Sequence, residues 1–224
     1  MFQDRRDAGE KLARALTKYK DKDVLVLAIP RGGVEVGYQV ARYLNARLST
    51  LVSRKLPYPD NPEAGFGAIA EDGSTFIFER AAYWLSKETI ERIIREQKKE
   101  IRRRIDVLRK GKPLPEMANS VVILVDDGIA MGSTVRAGIM LCRKEKAGKI
   151  VVAAPVTGIS VAEEIGKMAD EVVILEMPEY FQAVAQVYYN WYDVSDEEVI
   201  EIMERWEGER GRRTRGERPE MGSG

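Results

Sequence analysis

The chain has 224 residues, 44% of them hydrophobic, which is enough for one sizeable domain with its own core. Its 36 basic and 36 acidic residues balance, so net charge favours neither a nucleic acid nor a membrane surface as partner. Histidine is absent, which excludes the most common general base and Ser–His nucleophilic chemistry. Acid–base work therefore falls to carboxylates, lysine, tyrosine or the substrate itself.

Cys142 is the only cysteine, so an intrachain disulfide is excluded and a reducing, cytoplasmic location is expected. It lies in an apolar helical segment, where we expect a buried and inert thiol. The charged N-terminal residues are not followed by the apolar run of a signal peptide. No apolar stretch approaches the roughly 18 residues that a membrane span needs, so we expect no membrane partner.

Hydrophobic periodicity predicts alternating helices and strands in the first half of the chain. The predicted elements are an amphipathic helix over 2–20, a buried strand over 24–29, a helix over 34–44, a strand over 48–56, and a long helix between the cap Ser86 and the stop Gly111. The segment 57–72, rich in proline and glycine, is expected to be an irregular functional loop. A short hairpin of 67–69 with 75–78 is predicted around Asp72-Gly73.

The second half continues this alternation, with strands over 121–125, 149–156 and 172–175 and helices over 134–146, 160–168 and 196–206. We therefore predict an α/β fold: a mostly parallel twisted sheet with helices on both faces, a small hood and an inserted long helix. Residues 1–206 are predicted to form one domain. Residues 207–224, with almost no apolar side chains, are predicted to be a disordered tail.

The most informative segment runs from Val121 to Thr134. Its five consecutive β-branched or leucine residues predict a strand buried on both faces, and Asp126 and Asp127 follow where that strand ends. A loop of small residues then leads to a helix that begins near Thr134. Carboxylates accept hydrogen bonds from vicinal hydroxyls, and loop N–H groups at a helix N-terminus hold phosphate. The segment therefore predicts a site for a phosphorylated sugar.

Other charged or small residues follow other predicted strands. They are Arg31-Gly32-Gly33 after the first strand, Arg54-Lys55 at the end of the second, and residues 155–158 after the fourth. The carboxyl ends of parallel strands meet on one rim of a sheet, where ligands bind. Cations from two strands and an acidic pair from a third suit a ligand that carries both phosphates and a ribose.

With these motifs in this order, residues 24–194 resemble the type I phosphoribosyltransferase family. The segment from Val121 to Thr134 is similar to the family signature, and Pro30-Arg31-Gly32-Gly33 is similar to its pyrophosphate loop. The resemblance is greatest to a group of predicted phosphoribosyltransferases of about this length. Members of that group begin with a phrase like Phe2-x-Asp4-Arg5-x-Asp7-Ala8-Gly9 and carry a run similar to residues 61–71. This resemblance does not specify an acceptor.

The resemblance implies Mg²⁺-dependent transfer of ribosyl 5-phosphate from phosphoribosyl pyrophosphate (PRPP) to a nucleobase or other nitrogen nucleophile, with release of pyrophosphate. It implies catalytic roles for Asp126, Asp127, Arg31 and Lys55. The PRPP-binding residues that it implies are Gly32, Gly33, Arg54, Asp126, Asp127, Gly128, Ile129, Ala130, Met131, Gly132, Ser133 and Thr134. The two aspartates would contact the ribose hydroxyls and hold Mg²⁺, directly or through water. A cis peptide bond is expected in the Arg31 loop.

Two residues depart from the family pattern. Ala130 stands where enzymes acting on 6-oxopurines carry an aspartate, which disfavours hypoxanthine or guanine as acceptor. Met131 stands where a threonine often contacts the phosphate, although the backbone donors of the loop should remain. Glu63 and Glu71 could be catalytic or could simply lie on a loop surface. The aromatic segment 180–192 could stack on a flat acceptor, or it could pack as a helical core or a dimer face.

Two other functions are open at this stage. A PRPP-binding regulator without catalysis would keep the site, and the basic stretch 92–112 could then contact a partner. The acidic residues within that stretch favour a solvated helix face instead. A dinucleotide-binding oxidoreductase would need a Gly-x-Gly-x-x-Gly turn, which residues 31–37 do not supply. For the enzyme we expect small-molecule partners, no nucleic acid and, from the resemblance, a homo-oligomer.

Overall fold

The computed structural model describes residues 1–214, which form two β-sheets and the helices around them. The helices are α1 (Arg5–Ala15), α2 (Gly33–Leu44), α3 (Glu79–Ala82), α4 (Lys87–Arg109), α5 (Ser133–Lys144), α6 (Ile159–Gly166) and α7 (Asp196–Thr214). The strands are β1 (Val24–Ala28), β2 (Arg47–Thr50), β3 (Ser53–Tyr58), β4 (Asn61–Ala70), β5 (Thr75–Ile77), β6 (Val121–Val125), β7 (Lys149–Val156) and β8 (Glu171–Glu176). Short 3₁₀ helices span Thr17–Tyr19 and Val184–Val187.

The larger sheet has the strand order β2-β1-β6-β7-β8, and every neighbouring pair is parallel. Alternate residues of β1 point to opposite faces. Val24 and Val26 pack in the cluster that contains α1 and α2, whereas Leu25 and Leu27 pack in the cluster that contains α5. Because helices cover both faces, the central strands are apolar along nearly their whole length. The predicted α/β fold is confirmed.

The predicted strand over residues 48–56 is wrong as a single element, because the chain divides it between two sheets. β2 ends at Thr50 beside β1, and β3 begins at Ser53 beside β4. Leu51 and Val52, between the two strands, are buried in different hydrophobic clusters. The chain therefore leaves the parallel sheet here and enters the smaller antiparallel sheet of β3, β4 and β5.

The prediction of an irregular loop over residues 57–72 is also wrong. β3 and β4 form an antiparallel hairpin, and its register shifts at Pro57, where a residue without an N–H is tolerated. The prolines and glycines of this segment therefore mark irregular pairing within a hairpin. β5 pairs with β4 through Ile69 and Thr75, which confirms the predicted hairpin around Asp72-Gly73.

The long helix α4 packs across this antiparallel sheet. Ser86 Oγ accepts a hydrogen bond from Thr89 N at 3.2 Å, which confirms the predicted N-cap. Ile93 and Ile101 are buried in the same cluster as the side chains of β3 and β4. On the opposite face, ion pairs such as Arg92–Glu96 are exposed, as expected for a solvated helix.

The last helix, α7, is longer than predicted. It was expected to end at Trp206 and instead continues to Thr214. Residues beyond Trp206 are held by polar contacts, because Tyr38 donates to Glu209 at 2.6 Å and Lys112 donates to Glu207 at 3.3 Å. Residues 215–224 of the predicted tail lie outside the described residues, and the domain boundary at 206 stays a prediction. In residues 1–214, no helix is both long and apolar enough to cross a membrane.

Candidate active site

The ends of β1 and β6 lie side by side, which brings two of the predicted motifs together. Ala28 pairs with Val125, and Ile29 N donates to Val125 O at 2.8 Å. The Pro30–Arg31 peptide bond that follows is cis, as the resemblance implied. A Cβ on Gly33 would lie 2.9 Å from Asp126 Cα, so a glycine is what allows this loop to approach the acidic pair.

Residues 126–132 form a loop that is tied to the end of β7. Ile129 N donates to Val156 O at 2.8 Å, and Thr157 Oγ1 donates to Ile129 O at 2.7 Å. Gly132 has a φ of +72°, a conformation that favours glycine, and leads directly into α5. Within the described residues, the backbone N–H groups of residues 130–134 donate to no acceptor. The loop and the N-terminus of α5 therefore present a row of donors suited to a phosphate.

Arg136 supports this loop from inside, and sequence analysis missed it. Its side chain is only 2% exposed. Nη1 donates to Met131 O, and Nη2 donates to Glu164. Burial lowers the pKa of Arg136, and the negative charge of Glu164 opposes this shift. A single arginine in a helix resembles a surface residue in sequence, so no pattern could have identified its buried position.

Asp126 and Asp127 have different surroundings. Burial raises the pKa of Asp126 well above its usual range, and the negative charge of Asp127 adds to this shift. The Asp127 carboxylate instead accepts from Arg5 Nε at 2.7 Å, in an ion pair whose side chains are 6% and 13% exposed. One carboxylate of the acidic pair is thus neutralised by the protein itself. The other has no ion pair in the part of the chain that the structure describes.

Arg5 joins the acidic pair to the residues before α7. Its guanidinium lies 4.0 Å from the centroid of the Trp191 ring, and Nη1 donates to Tyr192 O at 2.9 Å. Tyr188 Oη donates to Asp127 O at 2.6 Å, so a second side chain from this region reaches the same residue. Sequence analysis quoted Arg5 within the N-terminal phrase of the family resemblance but gave it no role. The similarity of that N-terminal phrase to the family was the signal in the sequence that could have pointed to Arg5.

The predicted cations lie on two different sheets. Arg31 follows β1, is partly exposed, and has Nη1 3.8 Å from Asp196 Oδ1. Arg54 and Lys55 lie in the antiparallel sheet, so the prediction that they end a second parallel strand is wrong. Arg54 Nε donates to Gln97 Oε1 at 3.1 Å, whereas Lys55 Nζ donates to Glu63 O of its own hairpin. The structure brings Arg31 and Arg54 within electrostatic reach of each other and places Lys55 on the hairpin.

Of the two glutamates whose roles were left open, Glu71 has a structural role. Glu71 is buried, pairs with Arg109 Nη2 at 2.5 Å and accepts from Val52 N at 2.9 Å, which fixes the junction between the sheets. Cys142 is buried as predicted, and burial raises its pKa to about 12, so it is not a nucleophile. Glu63 is exposed at the hairpin, where only its carbonyl contacts Lys55 through a hydrogen bond.

The aromatic segment 180–192 forms no long helix. Its regular part is the 3₁₀ turn Val184–Val187. Tyr188 packs in the interior beside Phe2, with ring centroids 5.6 Å apart, whereas Tyr180 is 83% exposed. Helical core packing, one of the alternatives for this segment, is therefore wrong for most of it, because its short turns leave Tyr180, Tyr189 and Tyr192 exposed.

The residues of this site fit a Mg²⁺ ion that has few protein ligands. Among residues 1–214, no group of three or more aspartate, glutamate, histidine or cysteine residues could hold a metal ion. Asp127 is already paired with Arg5, which leaves Asp126 as the carboxylate that could contact a cation. This donor set fits a Mg²⁺ ion that keeps water ligands and is held mainly by substrate phosphates.

Comparisons with known proteins agree with this geometry. The model of the phosphoribosyl transferase domain family matches residues 3–190. Two curated proteins of Mycobacterium tuberculosis, from strains CDC 1551 and H37Rv, carry names that describe them provisionally as phosphoribosyl transferases. Each is 39% identical over 208 residues, which cover 92% of this chain and 47% of the relative. The chain thus spans about half the length of these relatives.

One solved structure is similar to this chain over nearly its whole length. The crystal structure of TT1426 from Thermus thermophilus matches with a TM-score of 0.77 and 36% identity, over 92% of this chain and 98% of that protein. Together with the family match, the parallel sheet and the acidic loop at its rim place the chain in the class of phosphoribosyltransferase-type α/β proteins. The chain belongs to the phosphoribosyl transferase domain family, which confirms the resemblance.

Proposed function

We propose that this chain transfers ribosyl 5-phosphate from PRPP to a nitrogen nucleophile and releases pyrophosphate. The observation that carries the proposal is the meeting of two loops at the ends of β1 and β6. One loop offers Arg31 and a glycine turn, and the other offers an acidic residue followed by free backbone donors. A phosphorylated ribose with a pyrophosphate group has charges and hydroxyls that match this arrangement.

The 5-phosphate would bind at the N-terminus of α5. The unpaired N–H groups of residues 130–134 and the hydroxyls of Ser133 and Thr134 supply donors without a net charge. Met131 offers no hydroxyl, so binding at its position depends on the backbone. Arg136 holds Met131 O from behind, which keeps the loop in one conformation before the ligand arrives.

Asp126 is the residue that we assign to the ribose. When pyrophosphate leaves, positive charge develops at the anomeric carbon, and an oriented carboxylate stabilises that charge more in the transition state than in the ground state. Burial raises the pKa of Asp126 in the free protein, and the positive charge of a cation bound beside it would favour the ionised carboxylate that this role requires. Bound Mg²⁺ would supply charge neutralisation for pyrophosphate, with Asp126 as its protein contact. Asp127, held by Arg5, positions the loop.

The proposed acceptor is a nitrogen nucleophile, and two features of the site bear on its chemical class. Ala130 is exposed and cannot accept a hydrogen bond from a purine nitrogen through its side chain. The exposed aromatic rings of residues 180–192 provide flat apolar surface, and Phe181 and Val184 of the same segment lie beside Gly158 and Gly128 at the rim of the sheet. We therefore propose a flat nitrogen heterocycle as the acceptor. We also propose that the enzyme is a homo-oligomer and that it works in a reducing cytoplasm.

The test is pyrophosphate release from PRPP with Mg²⁺ and a panel of nucleobases and other nitrogen nucleophiles. The wild-type protein should release pyrophosphate with at least one acceptor. Asp126→Asn should abolish release, and Asp23→Asn, which changes a carboxylate that is 79% exposed, should leave it intact. Binding of PRPP without turnover for any acceptor would favour the regulator instead. Absence of PRPP binding would overturn both functions.

A further inference from the structure

Ion pairs through Asp196 connect helix α4 to Arg31. The packed face of α4 is mostly apolar, with Ile93 and Ile101 buried, but it also carries Arg104. Arg54 of β3 donates through Nε to Gln97 Oε1 of α4 at 3.1 Å, which joins the antiparallel sheet to this helix. About two turns further along α4, Arg104 has a side chain that is only 12% exposed. The sequence predicted a solvated face for this stretch, and these residues depart from that prediction.

A chain of ion pairs connects α4 to Arg31. Asp196, at the start of α7, has Oδ1 3.8 Å from Arg31 Nη1 and Oδ2 3.5 Å from Arg103 Nη2. Glu100 accepts from Arg103 at 2.9 Å and from Arg104 Nε at 3.1 Å. We call Arg31, Arg54, Arg103 and Arg104 the arginine cluster. Four guanidinium groups here face two carboxylates, so the cluster carries excess positive charge.

Within residues 1–214, several nitrogen donors of the arginine cluster have no hydrogen-bond acceptor. In residues 1–214, the terminal Nη nitrogens of Arg54 and Arg104 donate to no acceptor. Burial lowers the pKa of Arg54, and the positive charge of Arg104 is the largest neighbouring contribution in the same direction. Asp196 Oδ1 is itself buried and lacks a hydrogen-bond partner in the described part of the chain. Like charges held together in this way at a ligand-binding rim are suited to a polyanion.

We propose that Arg104 of α4, together with Arg54, binds the pyrophosphate group of the donor. This inference rests on the proposed function, keeps Arg54 from the family resemblance, and adds Arg104, which lies outside the loops of the parallel sheet. The family resemblance implies that Arg54 and Lys55 together neutralise the leaving group, and Lys55 donates to Glu63 O on the hairpin instead. Arg104 of the inserted helix would thus take the place of Lys55 beside Arg54.

The chemistry gives these arginines a place in the reaction. As the bond between the anomeric carbon and pyrophosphate oxygen breaks, its electron pair remains on pyrophosphate, whose negative charge therefore grows. The nucleophile's nitrogen forms the new bond to that carbon and loses its proton to solvent. Guanidinium groups that are held in place by Gln97 and Glu100 would stabilise this growing charge with little rearrangement. Asp196 and Glu100 would neutralise the cluster when no donor is bound.

The test compares two ligands that differ only in pyrophosphate. Titration calorimetry with PRPP and Mg²⁺, and separately with ribose 5-phosphate, is carried out on the wild-type protein, Arg104→Gln and Arg102→Ala. Arg102 is exposed on the same helix and has no ion pair in residues 1–214, which makes it the matched control. Arg104→Gln should weaken PRPP binding about tenfold or more, as expected for a lost charged hydrogen bond, and leave ribose 5-phosphate binding within about twofold. Arg102→Ala should change neither affinity.

Three other outcomes would overturn the inference, and each points to a different cause. Equal losses for PRPP and ribose 5-phosphate would mean that Arg104 only holds the fold, and Arg104→Lys, which keeps the charge and stem, checks this directly. Unchanged PRPP affinity in both Arg104 variants would remove α4 from the binding site while leaving the proposed function standing. A wild-type protein that binds neither ligand would overturn the proposed function, and the inference would fall with it.

Discussion

The buried ion pair between Arg5 and Asp127 provides a quantitative test of how the acidic pair is held. Both side chains are largely removed from water, at 6% and 13% exposure, and the two atoms are 2.7 Å apart. Replacing one partner leaves a buried charge without its counter-ion, which costs about 3–5 kcal/mol. Arg5→Ala also removes a guanidinium 4.0 Å from the Trp191 ring, a contact that adds roughly 0.5–2 kcal/mol.

We therefore expect Arg5→Ala to lower the free energy of unfolding by about 3–5 kcal/mol or somewhat more. For a chain of this size, each kcal/mol shifts the melting temperature by about 2–4 °C, so the midpoint should fall by roughly 10 °C. Urea denaturation followed by circular dichroism measures the first quantity, and calorimetry measures the second. Asp127→Asn should give a loss of similar size, because it leaves the Arg5 charge unpaired.

Arg6→Ala is the matched control, since Arg6 lies on the same helix and pairs with Glu10 at 3.2 Å while 67% exposed. Exposed pairs of this kind contribute at most about 0.5 kcal/mol after solvent screening. The double variant Arg5→Met with Asp127→Asn removes both charges and should recover part of the loss. If Arg5→Ala costs no more than Arg6→Ala, the ion pair does not hold the acidic loop and the reasoning fails.

Three further predictions concern the same site and core. The raised pKa of Asp126 means that the folded protein keeps a proton that the unfolded chain releases, so stability should fall as pH rises between the two pKa values. Asp126→Asn should therefore melt higher than the wild type at neutral pH, with the difference disappearing in acid, and an unchanged melting temperature would contradict the burial argument. A Cβ at Gly33 would lie 2.9 Å from both Asp126 Cα and Val125 O, so Gly33→Ala should cost about 1–3 kcal/mol and weaken PRPP binding by calorimetry. Cys142, with its pKa raised to about 12, should react with an aromatic disulfide reagent only after denaturation, and rapid labelling of the native protein would refute its burial.

The local patterns of the sequence were sufficient for the parallel sheet and for the two loops at its rim. β1, β6 and β7 are buried on both faces and therefore read as unbroken apolar runs. The acidic pair and the glycine loop could be placed together because parallel strands end on the same edge of a sheet. Both inferences need only the order of elements along the chain.

The partners of individual charged side chains were decided by the tertiary structure alone. Arg5 and Asp127 are separated by 122 positions in sequence, and no spacing rule links them. The division of residues 48–56 between two sheets depends on β4, which pairs with β3 from beyond the turn. Charge and hydropathy describe what a residue requires, whereas contacts between distant segments determine which neighbour provides it. The roles of Arg5, Arg136 and Arg104 therefore became visible only once the chain was folded.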